Sequence, residues 1–160
     1  MNSKRLIFLL TGVLLGLVIV GATVRAQGDV TALANQHPVN QSGVMGKIKF
    51  TQTGGGLIVT GTATGLAHST VGRYVTLVYD VASVSGGPEA CEPTAPMPGM
   101  FVGIWASDAV GNGLLIQLAP PGAIAPLHTF DTVSIRDTTI NGGFGVQAVV
   151  ACGQVAITPQ

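Results

Sequence analysis

Val44-Met45-Gly46-Lys47-Ile48-Lys49-Phe50-Thr51-Gln52, then Gly54-Gly55-Gly56, then Leu57-Ile58-Val59-Thr60-Gly61-Thr62-Ala63-Thr64, is the stretch that decides the architecture. Val44, Gly46, Ile48 and Phe50 alternate with Lys47 and Lys49, so one face is set for a core and the other for water. Three glycines turn the chain, because glycine takes positive φ without a Cβ penalty. Leu57, Val59 and Ala63 then alternate with Ile58, Thr60 and Thr62, which predicts an antiparallel partner strand.

The same grammar continues outward from this hairpin. Residues 73–79 alternate Val75, Leu77 and Tyr79 with Tyr74, Thr76 and Val78. Residues 101–107 and 114–119 flank the turn Asp108-Ala109-Val110-Gly111-Asn112-Gly113, and shorter strands are expected over 132–136, 146–151 and 155–158. Between 83 and 100 lie Gly86-Gly87-Pro88, Pro93, Pro96 and Pro98, and proline cannot donate to a sheet, so a long loop is expected. Seven or eight strands at this spacing predict an all-β domain, a two-sheet sandwich or flattened barrel.

The N-terminus reads as a secretory signal peptide over 1–26. Lys4 and Arg5 precede an uncharged apolar run from Leu6 to Val24, and Val24-Arg25-Ala26 is a small-residue cleavage site. The alternative is an uncleaved membrane anchor, since 19 residues from 6 to 24 approach the ~20 that cross a bilayer. Either way a secreted or extracytoplasmic domain is expected. Residues 27–42, with His37-Pro38, Asn35 and Asn40, read as a polar leader, and 43–160 as the domain itself. Past residue 26 the chain has four basic residues against seven acidic ones, a net charge of −3. So sparse and acidic a charge set excludes a phosphate-tracking nucleic-acid binder. The plentiful apolar residues exclude a disordered chain.

Two cysteines, Cys91 and Cys152, remain beyond the signal. In an oxidising compartment an isolated pair is read as a disulfide, tying the Pro-rich loop to a late strand; the alternative is two free thiols.

Several of these segments resemble the copper/zinc superoxide dismutases. Val59-Thr60-Gly61-Thr62-Ala63-Thr64-Gly65-Leu66 is similar to that family's V-x-G-x-x-x-G-L strand, and Gly72-Arg73-Tyr74-Val75-Thr76 stands where it has G-F-H-V-H. Cys91 falls at its loop cysteine, Ala106-Ser107-Asp108-Ala109-Val110-Gly111 resembles its A-D-x-x-G hairpin, and Ala151-Cys152-Gly153-Gln154-Val155 its terminal A-C-G-V-I. The resemblance runs from about Val44 to Ile157. It implies a Greek-key barrel of eight strands with Cys91 bridged to Cys152.

The family's chemistry is not implied with it. Tyr74 and Thr76 occupy the two H-x-H positions, and the ten positions from Cys91 to Phe101 hold no histidine. The loop that bears the last copper ligand in the family is shortened to Asn141-Gly142-Gly143-Phe144-Gly145, and Val149 stands where the family has an arginine. His37, His68 and His128 show no i+2, i+3 or i+4 spacing and read as surface or turn residues. Met97-Pro98-Gly99-Met100 could offer thioethers to Cu(I), but packing under a loop explains methionines equally. Trp105 and Phe101 are expected on one strand face with Gly103, with core packing as their role. No catalytic, cofactor or metal residue is therefore expected, and no cofactor. The expected function is a non-catalytic superoxide dismutase-like domain with a binding or structural role. Two alternatives stand beside it: a metal-dependent oxidoreductase with non-standard ligands, and a secreted adhesion or polymer-binding module.

Overall fold

A computed structural model describes residues 29–79 and 99–158. The expected signal peptide, most of the Pro-rich loop, Met97 and Cys91 lie outside the described residues. Nine strands are described: β1 (Val30–Pro38), β2 (Met45–Thr53), β3 (Gly56–Thr64), β4 (Ser69–Tyr79), β5 (Met100–Ser107), β6 (Gly113–Ala119), β7 (Thr132–Asp137), β8 (Val149–Gln154) and β9 (Ala156–Thr158). They run antiparallel in the order β2-β3-β6-β5-β4-β7-β8-β1, and β1 pairs back onto β2 to close an eight-stranded barrel. The ninth strand, β9, pairs with β1 at Thr31–Leu33. Closure removes the sheet edges that an open stack would leave unpaired.

The deciding hairpin forms as an antiparallel pair, with Lys47 opposite Thr62, Ile48 opposite Gly61 and Phe50 opposite Val59. Ile48, Phe50 and Val59 are fully buried, while Lys47 and Lys49 are exposed. The period of two is thus realised where one face meets the core and the other water.

The reading of 27–42 as a leader is corrected. Residues 30–38 are β1, which pairs with β2 from Val30↔Gln52 to Gln36↔Gly46 and closes onto β8 through His37↔Cys152. Its inward residues are Ala32, Ala34 and Gln36. Two of these are small and one is polar, so the strand buries an alternating face that hydropathy does not register. Among the described residues neither polar atom of the Gln36 amide has a hydrogen-bond partner, a state that destabilises by about 1–3 kcal/mol.

Trp105, fully buried, anchors the core of the barrel. Gly61 and Gly113 make room for its indole: a Cβ at Gly61 would stand 2.8 Å from Cη2, and one at Gly113 3.1 Å from Cε3. The indole N–H donates to Thr76 Oγ1 at 2.7 Å, which satisfies both groups inside an apolar core. Tyr74 also points inward, and its hydroxyl accepts from the Ala67 N–H at 3.0 Å.

Phe101 departs from expectation. The pairing of β4 with β5 slips between Thr76 and Leu77, so Thr76 faces Gly103 while Leu77 faces Phe101. That bulge breaks the alternation on β5 and turns Phe101 outward at 49% exposure, on the opposite face from Trp105.

Candidate functional site

The outer face of β4, β7 and β8 holds the molecule's most distinctive polar arrangement. All six residues of β7 are buried, which means that both its faces are covered. Val133 and Ile135 face the core, and Ser134 and Arg136 the outer layer. Across the ladder Val75 pairs with Arg136, Leu77 with Ser134 and Tyr79 with Thr132, so Val75, Leu77 and Tyr79 share that outer side.

Arg136 is only 6% exposed. Its Nε–H donates to Tyr79 Oη at 3.0 Å and to Ser134 Oγ at 3.3 Å. Its Nη1 donates to the carbonyls of Gly143 at 3.0 Å and Gly145 at 2.9 Å. The guanidinium also lies 5.8 Å from the centre of the Tyr79 ring, a cation–π contact. Among the described residues no carboxylate reaches it, since the single ion pair joins Arg73 to Asp137. Dipoles of carbonyls, hydroxyls and a ring face thus stand where a counter-ion would ordinarily be.

The short 141–145 segment explains itself through this contact. Gly142, Gly143 and Gly145 have φ of +67°, +87° and +80°, the left-handed region that glycine enters freely. That curl turns the carbonyls of Gly143 and Gly145 onto Arg136. The strand expected over 146–151 is correspondingly displaced along the chain: a 3-10 turn spans Val146–Ala148, and β8 runs Val149–Gln154.

A second polar cluster borders the first. Arg73 Nη2 meets Asp137 Oδ2 at 2.8 Å and Nε meets the same oxygen at 3.1 Å. Thr139 donates to Asp137 Oδ1 through its hydroxyl at 2.6 Å and its N–H at 2.9 Å. Burial pushes the Asp137 carboxyl upward, but the hydrogen bonds from Arg73 and Thr139 outweigh it and hold the pKa below the usual carboxylate value. The hydrogen bond that Arg73 donates to Asp137 in turn raises the pKa of Arg73. The bulge between Ser69 and Tyr74 on β4 delivers Arg73 to this position.

The residues singled out from sequence are dispersed. Tyr74 and Thr76, standing at the H-x-H positions, both face the interior of the barrel, so the outward positions of β4 belong instead to Val75 and Leu77. His37 on β1, His68 before β4 and His128 in a 3-10 turn are all exposed on separate segments. No three His, Cys, Asp or Glu side chains come together among the described residues. Met100, half-buried, packs against the core at the start of β5. Asp108 accepts from the Asn112 side chain at 2.9 Å and from the backbone of Asn112 and Val110, the turn role expected for it.

Cys152 is fully buried on the outer side of β8, opposite Ser134, in a small cluster with Val39 and Val149. There is no free cysteine among the described residues. Cys91, its expected partner, lies outside them. A cleft of about 350 Å³ opens elsewhere, lined by Val30, Gln52, Thr53, Gly54, Leu127 and His128 among others, with His128 the one titratable group among the described residues that line it.

Arg136, Tyr79 and Ser134 were not singled out from the sequence. The available clue was Arg136 itself, a charge set between Ile135 and Asp137 at the end of a strand whose neighbours read as core. No protein-family model matches the chain, and no curated protein is similar to it.

Proposed function

We propose that the protein is an extracytoplasmic barrel of the copper/zinc superoxide dismutase-like type that does no metal chemistry and serves in binding or in structure. Three features support the family reading: the sequence motifs quoted above, the eight-stranded closure, and the strand order. β4, β5 and β6 are consecutive neighbours and β7 returns beside β4, an order that supports the Greek-key reading. The placement outside the cytoplasm rests on the apolar run from Leu6 to Val24 and on Val24-Arg25-Ala26. The proposed Cys91–Cys152 disulfide draws support from the buried outer position of Cys152 and from the lack of a free cysteine among the described residues.

One observation carries the non-catalytic reading. Arg136 holds a fixed positive charge on the outer side of β7, beside the aliphatic Val75 and Leu77, and among the described residues no carboxylate neutralises it. A metal cation bound next to it would meet like charge in a poorly solvated layer. The inward groups of β4 are equally committed, because Thr76 and Tyr74 are hydrogen-bonded inside the core.

Metal analysis of the purified protein after loading with copper and zinc, together with a superoxide assay, tests the proposal. We expect less than stoichiometric metal and no turnover above a protein-free control. Near one equivalent of copper with chelator-sensitive turnover would replace this reading by that of an oxidoreductase with non-standard ligands.

A further inference from the structure

The outer face of β3, β6 and β5 carries six large apolar side chains in open solvent: Ile58, Phe101, Ile104, Leu114, Ile116 and Leu118. Four of them are joined by the ladders, since Ile58 pairs with Leu118, Thr60 with Ile116 and Thr62 with Leu114, while Leu114 faces Ala106 on β5. Ile104 adjoins Trp105, which pairs with Leu115, and Phe101 extends the patch towards Leu77 on β4. Ile116, 70% exposed, lies at the middle of the middle strand. We propose that this face is a self-association surface, on which a second copy of the chain packs face to face around Ile116 to form a twofold dimer.

Area supports the assignment. At their observed exposures the six side chains leave on the order of 500 Å² of apolar surface, the size at which a patch on a soluble protein marks an interaction site. A dimer that buries ~800 Å² per copy, with ~65% of it apolar, needs about that much from each partner. Charge supports a copy of the same chain in particular. A twofold interface sets a surface against itself, so charges near its axis tend to face their own kind. β3, β5 and β6 contain no Asp, Glu, Lys or Arg at all. The nearest lysines, Lys47 and Lys49, sit one strand away on β2, opposite Thr62 and Thr60. The β3–β6 ladder runs from Leu57↔Ala119 to Ala63↔Gly113 and β6 pairs with β5 at Trp105–Ser107, so the proposed association is by side-chain packing on the face of the sheet. A lipid surface fits less well, since Trp105, Tyr74 and Tyr79, the side chains that anchor proteins at a headgroup layer, are all buried.

The test measures molar mass by light scattering over a wide range of concentrations, using the protein as it accumulates in the producing cell. We expect a reversible dimer. Ile116→Lys with Leu118→Lys should weaken association at least tenfold while the circular dichroism spectrum is unchanged, and Ile116→Thr, a good strand residue, should weaken it less. The N-terminal apolar run is untouched in these variants. A dimer that survives the double substitution would therefore locate the contact elsewhere and overturn the proposal. A monomer at every concentration would also overturn it. So would a protein monomeric in buffer that floats with phosphatidylcholine–phosphatidylglycerol vesicles and loses that ability in the double variant; the face would then be a lipid-binding one.

Discussion

The outer face of β4, β7 and β8 and the outer face of β3, β6 and β5 belong to one closed barrel, yet they meet opposite fates. On the first, every β7 side chain is buried, and Tyr79, Ser134 and Arg136 form a satisfied network beneath the carbonyls of the 141–145 turn. On the second, Leu114, Ile116 and Leu118 stand 52%, 70% and 60% exposed. The covered face is the more polar and the bare face the more apolar, the reverse of what composition alone would assign. A loop carries backbone carbonyls, and carbonyls over a barrel need donors beneath them, which Arg136 supplies. A face made for another molecule's side chains needs no donors, so aliphatic residues suffice.

The sharpest break in this contrast is the proposed disulfide on the covered side. Cys91 and Cys152 enclose sixty residues, so chain entropy assigns the bond up to ~4 kcal/mol. Cys152→Ala and Cys91→Ala should each lower the melting temperature by several degrees, and by similar amounts. A loss seen only with Cys152→Ala would signify packing in its buried cluster in place of a bond.

Arg136→Met comes next. It leaves the Gly143 and Gly145 carbonyls without their donor and breaks the link to Tyr79 and Ser134, so the denaturation midpoint should fall by the equivalent of about 2–3 kcal/mol. A change of a few tenths would show that water replaces the guanidinium and that the network is ornamental to stability.

The Arg73–Asp137 pair gives a smaller effect, tied to pH. Asp137 is held below its usual value in the fold, so its contribution is fully present above the unfolded pKa near 3.8 and is lost as pH falls through the lower folded value. With Arg73 about one-third exposed, the contribution should be about 1 kcal/mol. Asp137→Asn should therefore flatten the loss of stability below about pH 4 and lower the plateau above it, as read from urea titrations across that range.

The smallest effect belongs to the bare face. Ile116→Lys should alter the stability of the dilute protein by no more than about 0.5 kcal/mol, because the side chain is largely exposed. A larger loss in thermal melts at high dilution would make the face part of the fold and erase the contrast.

Strand alternation was legible wherever one face was apolar and the other polar, as in β2 and β3, because the period of two is a local property of the backbone. β1 escaped because Ala32, Ala34 and Gln36 bury small or polar groups, and only their neighbours across the barrel make that face an interior. On β4 both faces were apolar enough that period alone did not name the inner one. The choice was made by Trp105, whose N–H needs Thr76 and whose ring needs Gly61 and Gly113. The same limit hid Arg136. Its four bonded oxygens come from residues as near as Ser134 and as distant as Tyr79, and no local pattern couples them. By itself the sequence determined an all-β chain, the deciding hairpin and the turn at Asp108, because each rests on backbone preferences a few residues long. The closure of the barrel through β1, the face Phe101 takes after the bulge, and the covering of Arg136 were decided only by tertiary structure, because each depends on contacts between segments far apart in the chain.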